Sequence, residues 1–306
     1  MKVVAFGGGH GLSASLHALR RLPGLDLTAV VTVGDDGGSS GRLRAERDCL
    51  PPGDLRQALA ALAGEDGLAG GVAALLQHRF AGDDPLAGHA VGNLLLAGLF
   101  EMYDPVTALR HAAELVRARG RVLPMSPEPV SIEALVREVD GSTVTVRGQH
   151  QVAITRGHVE RVRVVPGEPR ACAEALDAVA EADWLIFGPG SWYTSVIPHL
   201  LVPDLAAAIT RSGAGKLVTL NLLAEKETAG LSLPDHLHAL TRYLPGLRAD
   251  VVLADGKAVG DPEQVRHAAE SLGARLLLAP VAVDDGGPRH DPSALAAALA
   301  PVLGAA

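Results

Sequence analysis

The chain opens on a short apolar run, Val3 to Phe6, stopped by Gly7-Gly8-Gly9-His10-Gly11. Leu12, Leu16 and Leu19 then recur at helical spacing as far as Leu22. That order reads as strand, glycine loop, helix. Leu27 to Val33 is nearly continuous and rich in β-branched residues, the pattern of a strand covered on both faces in a parallel sheet. A βαβ opening follows. Beyond a polar stretch from Gly34 to Asp54, Leu55 to Ala63 has helical spacing. Asp104-Pro105 then supplies an N-cap and a first-turn proline to a helix that stops near Gly120.

Between Val130 and Pro166 the period changes. Leu135 to Val139 and Thr143 to Val146 flank Asp140-Gly141, a hairpin signal, and Val159, Val162 and Val164 continue the alternation. Residues 130–166 are therefore expected to form a small antiparallel β-rich insertion, short of helix, within one domain spanning 1–306. The second half alternates again: helix 171–182, strand 184–187, helix near Leu200, strand 217–222, helix 234–244, strand 251–254, strand 276–283, and a last helix from Asp291-Pro292. Such alternation predicts an α/β fold, doubly wound and Rossmann-like, with a mostly parallel sheet and helices on both faces.

Composition narrows the function. Aromatic residues are 3 % of the chain, so the core must be Ala, Val and Leu, and stacking platforms for single-stranded nucleic acid are not expected. The formal charge of −8 (27 Lys+Arg against 35 Asp+Glu) repels a phosphate backbone, so no nucleic-acid partner is expected. Cys49 and Cys172 lie far apart, without the spacing of a zinc knuckle, which fits a reducing cytoplasm. No apolar run reaches membrane-spanning length, and the N-terminus reads as a first strand rather than a targeting signal.

Three glycine-rich turns stand where chemistry is expected. Gly8, Gly9, His10, Gly11, Leu12 and Ser13 join a strand to a helix, where free N–H groups and the helix dipole favour a phosphate. Leu12 occupies the place of the third glycine in the dinucleotide fingerprint, which disfavours an NAD-dependent dehydrogenase. The second turn, Gly34 to Arg42, carries Asp35, Asp36, Ser39 and Ser40 at the carboxyl end of the second strand, where ribose hydroxyls or a magnesium ion could be held. The third, Gly188-Pro189-Gly190-Ser191-Trp192-Tyr193-Thr194-Ser195, is a second phosphate cradle and lacks the form of a nucleophile elbow. Asp54 reads either as an N-cap or as a ligand group, with Arg56 beside it. His89 and Asn93 fall on one helical face at i, i+4, Asn221 ends a later strand, and Arg289 precedes the last helix, where an anion contact is expected.

Five blocks in register, GGGHGLS (from Gly7), VTVGDDGGSSGRLR (from Val31), PPGDLR (from Pro51), GHAVGNLLLAGL (from Gly88) and GPGSWYTSVIPHLLV (from Gly188), cover nearly the whole chain. Together they resemble the YvcK-type gluconeogenesis factors, a branch of the CofD-like family whose other branch contains 2-phospho-L-lactate transferase. The resemblance implies a cytoplasmic, homodimeric, Rossmann-like protein. It implies binding of a UDP-sugar such as UDP-N-acetylglucosamine, and a role in cell shape and cell-wall homeostasis with a cell-wall or morphogenesis protein as partner. No established reaction comes with it, so a binding protein rather than an enzyme is expected. No cofactor is required, although Mg²⁺ is admitted. The alternative is a phospholactyl transferase using a nucleoside diphosphate donor and a deazaflavin precursor, with Asp35, Asp36 and Asp54 on Mg²⁺. The sequence departs from the family's pattern at His10 (usually Thr), Trp192 (Leu) and His199 (Asn), and at the shortened stretch Asn221 to Thr228, which lacks a Gln-Pro-Gly.

Overall fold

A computed structural model describes residues 1–305 apart from Ala224 and Ala229; Ala224, within the shortened stretch, lies outside the described residues. Among the described residues ten strands follow in chain order: β1 Lys2–Gly7, β2 Asp26–Val31, β3 Arg121–Pro124, β4 Ser131–Arg137, β5 Thr143–Arg147, β6 His158–Val165, β7 Trp184–Phe187, β8 Gly215–Thr219, β9 Val251–Ala254 and β10 Arg275–Leu278. Seven of them make one parallel sheet in the order β10-β9-β8-β7-β1-β2-β3, and β5-β4-β6 make a separate antiparallel sheet. Helices cover both faces of the large sheet, as the alternation predicts.

The apolar runs go to the middle. β1 and β2 each bury five consecutive residues, which is possible only where both faces are covered. Phe6 and Phe187 face each other across the β1–β7 pair and stack at 4.9 Å between centroids, 8° from parallel. Against Phe6 packs the edge of His199, whose fully buried imidazole is driven by desolvation down to about 4 and is neutral. Trp192 is also fully buried, its indole N–H donating to the His236 carbonyl at 2.8 Å.

The β-rich insertion joins the same core through Ile132, Ala134, Val136, Val159, Val162 and Val164. It is not free of helix: Gln149–Ile154 forms one short helix between β5 and β6. Three longer helices fall where the apolar pattern predicts none, at Gly38–Arg47, Gly67–Gln77 and Pro262–Ser271, together with the edge strand β3. Their signals are weak for a physical reason. Gly38–Arg47 buries only Ser39, Ser40 and Leu43, and Gly67–Gln77 only Ala69 and Leu76, so neither carries an apolar stripe. The expected strand 276–283 ends at Leu278, because Pro280 offers no N–H to a ladder, and Ala282 makes a single bridge to His290. Among the described residues no helix is long and apolar enough to cross a membrane.

Candidate functional site

The strand order reverses between β1 and β7: from β1 the chain winds outward through β2 to β3, and from β7 through β8 to β10. Ligands of open α/β sheets collect at the carboxyl ends of strands beside such a point. Here the turns after β1 and β7 touch. Gly11 lies so close to the third glycine-rich turn that a Cβ would stand 2.5 Å from the Gly190 Cα and nearer still to the Pro189 carbonyl oxygen. Gly188 (φ +69) and Gly190 (φ +139) occupy conformations that favour glycine.

Asn221, just beyond the end of β8, pins this turn from both sides: its Oδ1 accepts from the Gly190 N–H at 2.8 Å and its Nδ2 donates to the Gly190 carbonyl at 2.9 Å. Ser15 donates to the Gly188 carbonyl at 3.0 Å from the facing helix, Gly9–Leu19. Asn221→Ala should therefore lower stability by about 1 to 3 kcal/mol, since it orphans two buried backbone groups. Ligand affinity should fall with it; a denaturant midpoint unchanged from the parent would contradict the pinning role.

The floor of the site is Asp54. It does not cap its helix, Pro52–Leu62, whose N-cap is Pro51 without a side-chain bond. Its carboxyl accepts instead from the Thr32 hydroxyl at 3.0 Å and from the Gly9 N–H. Burial first, and the neighbouring Asp35 charge second, push it up to about 7. Gly8 is the close-approach position: a Cβ there would come within 2.5 Å of Asp54 Oδ2 and 2.6 Å of Thr32 Oγ1.

These turns wall a cavity of about 840 Å³. It collects Gly8, Gly9, His10, Gly11, Ser13, Asp35, Asp54, Gly190, Ser191, Ser195, Asn221 and Arg289 from among the candidates. The others lie elsewhere. Leu12 belongs to the core, and Tyr193 and Thr194 are buried in the wide π turn Trp192–Val196 behind the cavity wall. Gly188 lies behind the same wall, bonded to Ser15. Arg56 is buried, donates to Gln77, and is held by burial down to about 10.

His89 and Asn93 do converge, but not along a helix face, since His89 precedes the N-cap Ala90 of Val91–Met102. They meet at Ser39: His89 Nδ1 is 2.9 Å from Ser39 Oγ, and Asn93 Nδ2 donates to that oxygen at 2.9 Å and to Ser40 Oγ at 3.5 Å. The cluster secures the helix that follows the second turn rather than lining the cavity. Asp36 is also turned aside, its Oδ1 accepting from the His150 N–H at 2.8 Å. Asp35 accepts from the Gly37 N–H at 2.9 Å. The set Asp35, Asp36, Asp54 is therefore not assembled on one point, and among the described residues no three metal-ligating side chains gather. With Asp36 turned away, Asp35 and Asp54 are the two of the three that share the cavity.

Sequence reasoning missed His17, Gln57, Gln149, Glu225 and His290, all of which line the cavity. Gln149 follows a single glycine, Gly148 (φ +94), and Glu225 none, so neither stands in a glycine cluster. Glu225 accepts from the Ser191 hydroxyl and so ties the third turn to the shortened stretch. Two buried atoms here, Gln149 Oε1 and His290 Nε2, have no hydrogen-bond partner among the described residues. Leu222, Leu223, Val283 and Pro288 supply an apolar side, so polar turns and an apolar wall face one space.

Fold and site together define a doubly wound α/β protein with a cavity at its topological switch point. The family described as 2-phospho-L-lactate transferase CofD matches residues 3–287, and the chain belongs to it. A Mycobacterium tuberculosis protein named "Putative gluconeogenesis factor" is 50 % identical over 305 residues, covering 97 % of this chain and 89 % of the relative. The "Gluconeogenesis factor" of Halalkalibacterium halodurans is 38 % identical over 285 residues, 92 % of this chain and 84 % of that one. A crystal structure of a UPF0052-family protein from Bacillus halodurans superposes with a TM-score of 0.86 at 35 % identity, over 97 % of this chain and 98 % of the other.

Proposed function

We propose that this chain is a UDP-sugar-binding regulatory protein, a gluconeogenesis factor acting in cell shape and cell-wall homeostasis in the cytoplasm, as a homodimer that engages a cell-wall or morphogenesis protein. One observation carries the ligand class: two glycine turns packed on each other at the switch point, bordering a cavity of about 840 Å³. The helix behind the first turn, Gly9–Leu19, has Gly8 as N-cap without a side-chain bond and no acidic residue in its first turn, so its N–H groups beyond Gly9 favour the diphosphate. The apolar wall of Leu222, Leu223, Val283 and Pro288 suits the base. The relatives' names and the motif resemblance supply the cellular role. The transferase is the second reading; with Asp36 turned away, Asp35, Asp36 and Asp54 do not form its three-aspartate Mg²⁺ site, and we propose binding that needs no metal.

Arg289 tests the phosphate assignment. Its guanidinium is exposed at the cavity rim and paired with Asp285 at 2.5 Å, and it would exchange that carboxylate for a phosphate on binding. Arg289→Ala should weaken UDP-N-acetylglucosamine roughly tenfold, at the low end for a charge-assisted bond because the existing pair is given up. Equal affinity of variant and parent by calorimetry would remove Arg289 from the diphosphate site.

A further inference from the structure

The cavity at the switch point runs across the carboxyl ends of the strands, and the strand order gives it two unlike ends. In the middle, over β1 and β7, lie the packed glycine turns at 8–11 and 188–190. Past β8 stand Leu222 and Leu223, joined by Val283, Pro288 and Arg289. On the opposite side, past β2, stand Asp35 and Gln149, the latter against Gly34, with Asp54 and Gln57 of the helix Pro52–Leu62. A nucleotide with its base on the apolar wall and its diphosphate on the glycine turns therefore reaches the β2 end with its sugar. Among the described residues no Lys or Arg side chain lines that end. Asp35 accepts from the Gly37 N–H through Oδ1, and its Oδ2 has no hydrogen-bond partner among the described residues. Two guanidiniums feel the Asp35 charge but are engaged elsewhere: Arg44 donates to the Ser131 hydroxyl at 3.0 Å and Arg56 to Gln77, and neither lines the cavity. Asp54 registers the consequence, since burial and the Asp35 charge hold its carboxyl neutral up to about 7. Glu225, the remaining carboxylate of the cavity, accepts from Ser191 and lies at the base end past β8.

Resting on the UDP-sugar reading above, we propose that the β2 end is a selectivity subsite for an uncharged, hydroxyl-rich sugar, in which Asp35 accepts from sugar hydroxyls and turns away sugars that carry a carboxylate. A hydroxyl donating to the free Asp35 oxygen makes a charge-assisted hydrogen bond. A uronate in the same place sets two carboxylates together and buries a charge that no guanidinium or ammonium pairs. The amides of Gln57 and Gln149 serve hydroxyls as donors or acceptors but cannot neutralise that charge. Selectivity of this kind comes from the repulsive element as much as from the attractive one.

UDP-glucose, UDP-glucuronate and UDP-xylose differ only in one substituent of the sugar ring, a hydroxymethyl group, a carboxylate or a hydrogen. Each is titrated calorimetrically into the full chain near neutral pH. UDP-glucuronate should bind roughly tenfold or more weakly than UDP-glucose, while UDP-xylose stays within a few-fold of UDP-glucose. The penalty on the uronate should shrink severalfold in Asp35→Asn, which keeps an acceptor for the Gly37 N–H and whose fold is checked by circular dichroism. The comparison of the three ligands on the parent chain tests the subsite even without that variant. UDP-glucuronate bound as tightly as UDP-glucose, UDP-xylose as weak as the uronate, or a uronate penalty unchanged in a folded Asp35→Asn would each overturn the subsite and leave UDP-sugar binding in place. Absence of heat from all three would overturn the UDP-sugar reading itself, and the subsite with it.

Discussion

Gly11→Ala is expected to be the most damaging single-methyl change at the site, lowering stability by about 3 kcal/mol or more and removing ligand binding. The added Cβ meets backbone, not a movable side chain. At 2.5 Å from the Gly190 Cα, and closer to the Pro189 oxygen, one of the two turns must withdraw. Withdrawal of the third turn pulls Gly190 from the Asn221 amide that holds its N–H and carbonyl, and withdrawal of the first shifts the start of the helix Gly9–Leu19. Gly70→Ala provides the contrast, since nothing lies within 4 Å of a Cβ there and the residue is inside a helix. That change should be neutral or stabilising by up to about 1 kcal/mol. Urea midpoints of the two variants decide the point; a Gly11→Ala protein as stable as its parent would mean the turns do not pack as described.

The second large effect is a pH dependence with a sign set by Asp54. Its folded-state value is about 7 against an ordinary 3.8, so between those limits the folded protein holds a proton that the unfolded chain has lost. Stability from this group is fully present below about pH 4, falls as pH rises, and is lost once pH passes 7, for a total on the order of a few kcal/mol. Glu227, buried and pushed up to about 7 mainly by desolvation, adds a second contribution of the same sign. Asp54→Asn should remove only the first, keeping the acceptor for Thr32 and Gly9 while flattening part of the stability profile.

Ligand binding follows the same group. A diphosphate beside Asp54 favours its neutral form, so UDP-sugar affinity should weaken up to roughly tenfold per pH unit above 7 and become flat in Asp54→Asn. A magnesium-bound nucleotide held by an ionised Asp54 would show the opposite slope. Calorimetric Kd values at pH 6, 7, 8 and 9 separate the two, and affinity that rises with pH would contradict the proton-holding role.

Much of this site is legible in the chain because backbone geometry writes itself in glycine. Gly8 and Gly11 are required by contacts closer than a Cβ permits, and Gly188 and Gly190 by conformation, so the turns that form the cavity stand out as glycine clusters in the sequence itself. The central strands are equally plain, since burial on both faces leaves uninterrupted apolar runs such as Val3 to Phe6. Side-chain direction is not legible in the same way. Asp35 and Asp36 are neighbours, yet one reaches the cavity and the other the His150 N–H. His89 and Asn93 share Ser39 because a turn and a helix start bring them together, where spacing alone suggests one helix face. Gln149 reaches the cavity from the insertion, over a hundred residues from the second turn, and no local pattern announces a contact made by topology.

The central claim is what the cavity at the switch point binds. Purified, nucleotide-free protein titrated calorimetrically with UDP-N-acetylglucosamine, UDP-glucose, GDP and NAD, each with and without Mg²⁺, asks this directly. Selective binding of a UDP-sugar at micromolar concentration or tighter, unchanged by Mg²⁺ and without turnover, is the predicted result. GDP bound tightly only with Mg²⁺, with no heat from either UDP-sugar, would contradict it and assign the cavity to a transferase.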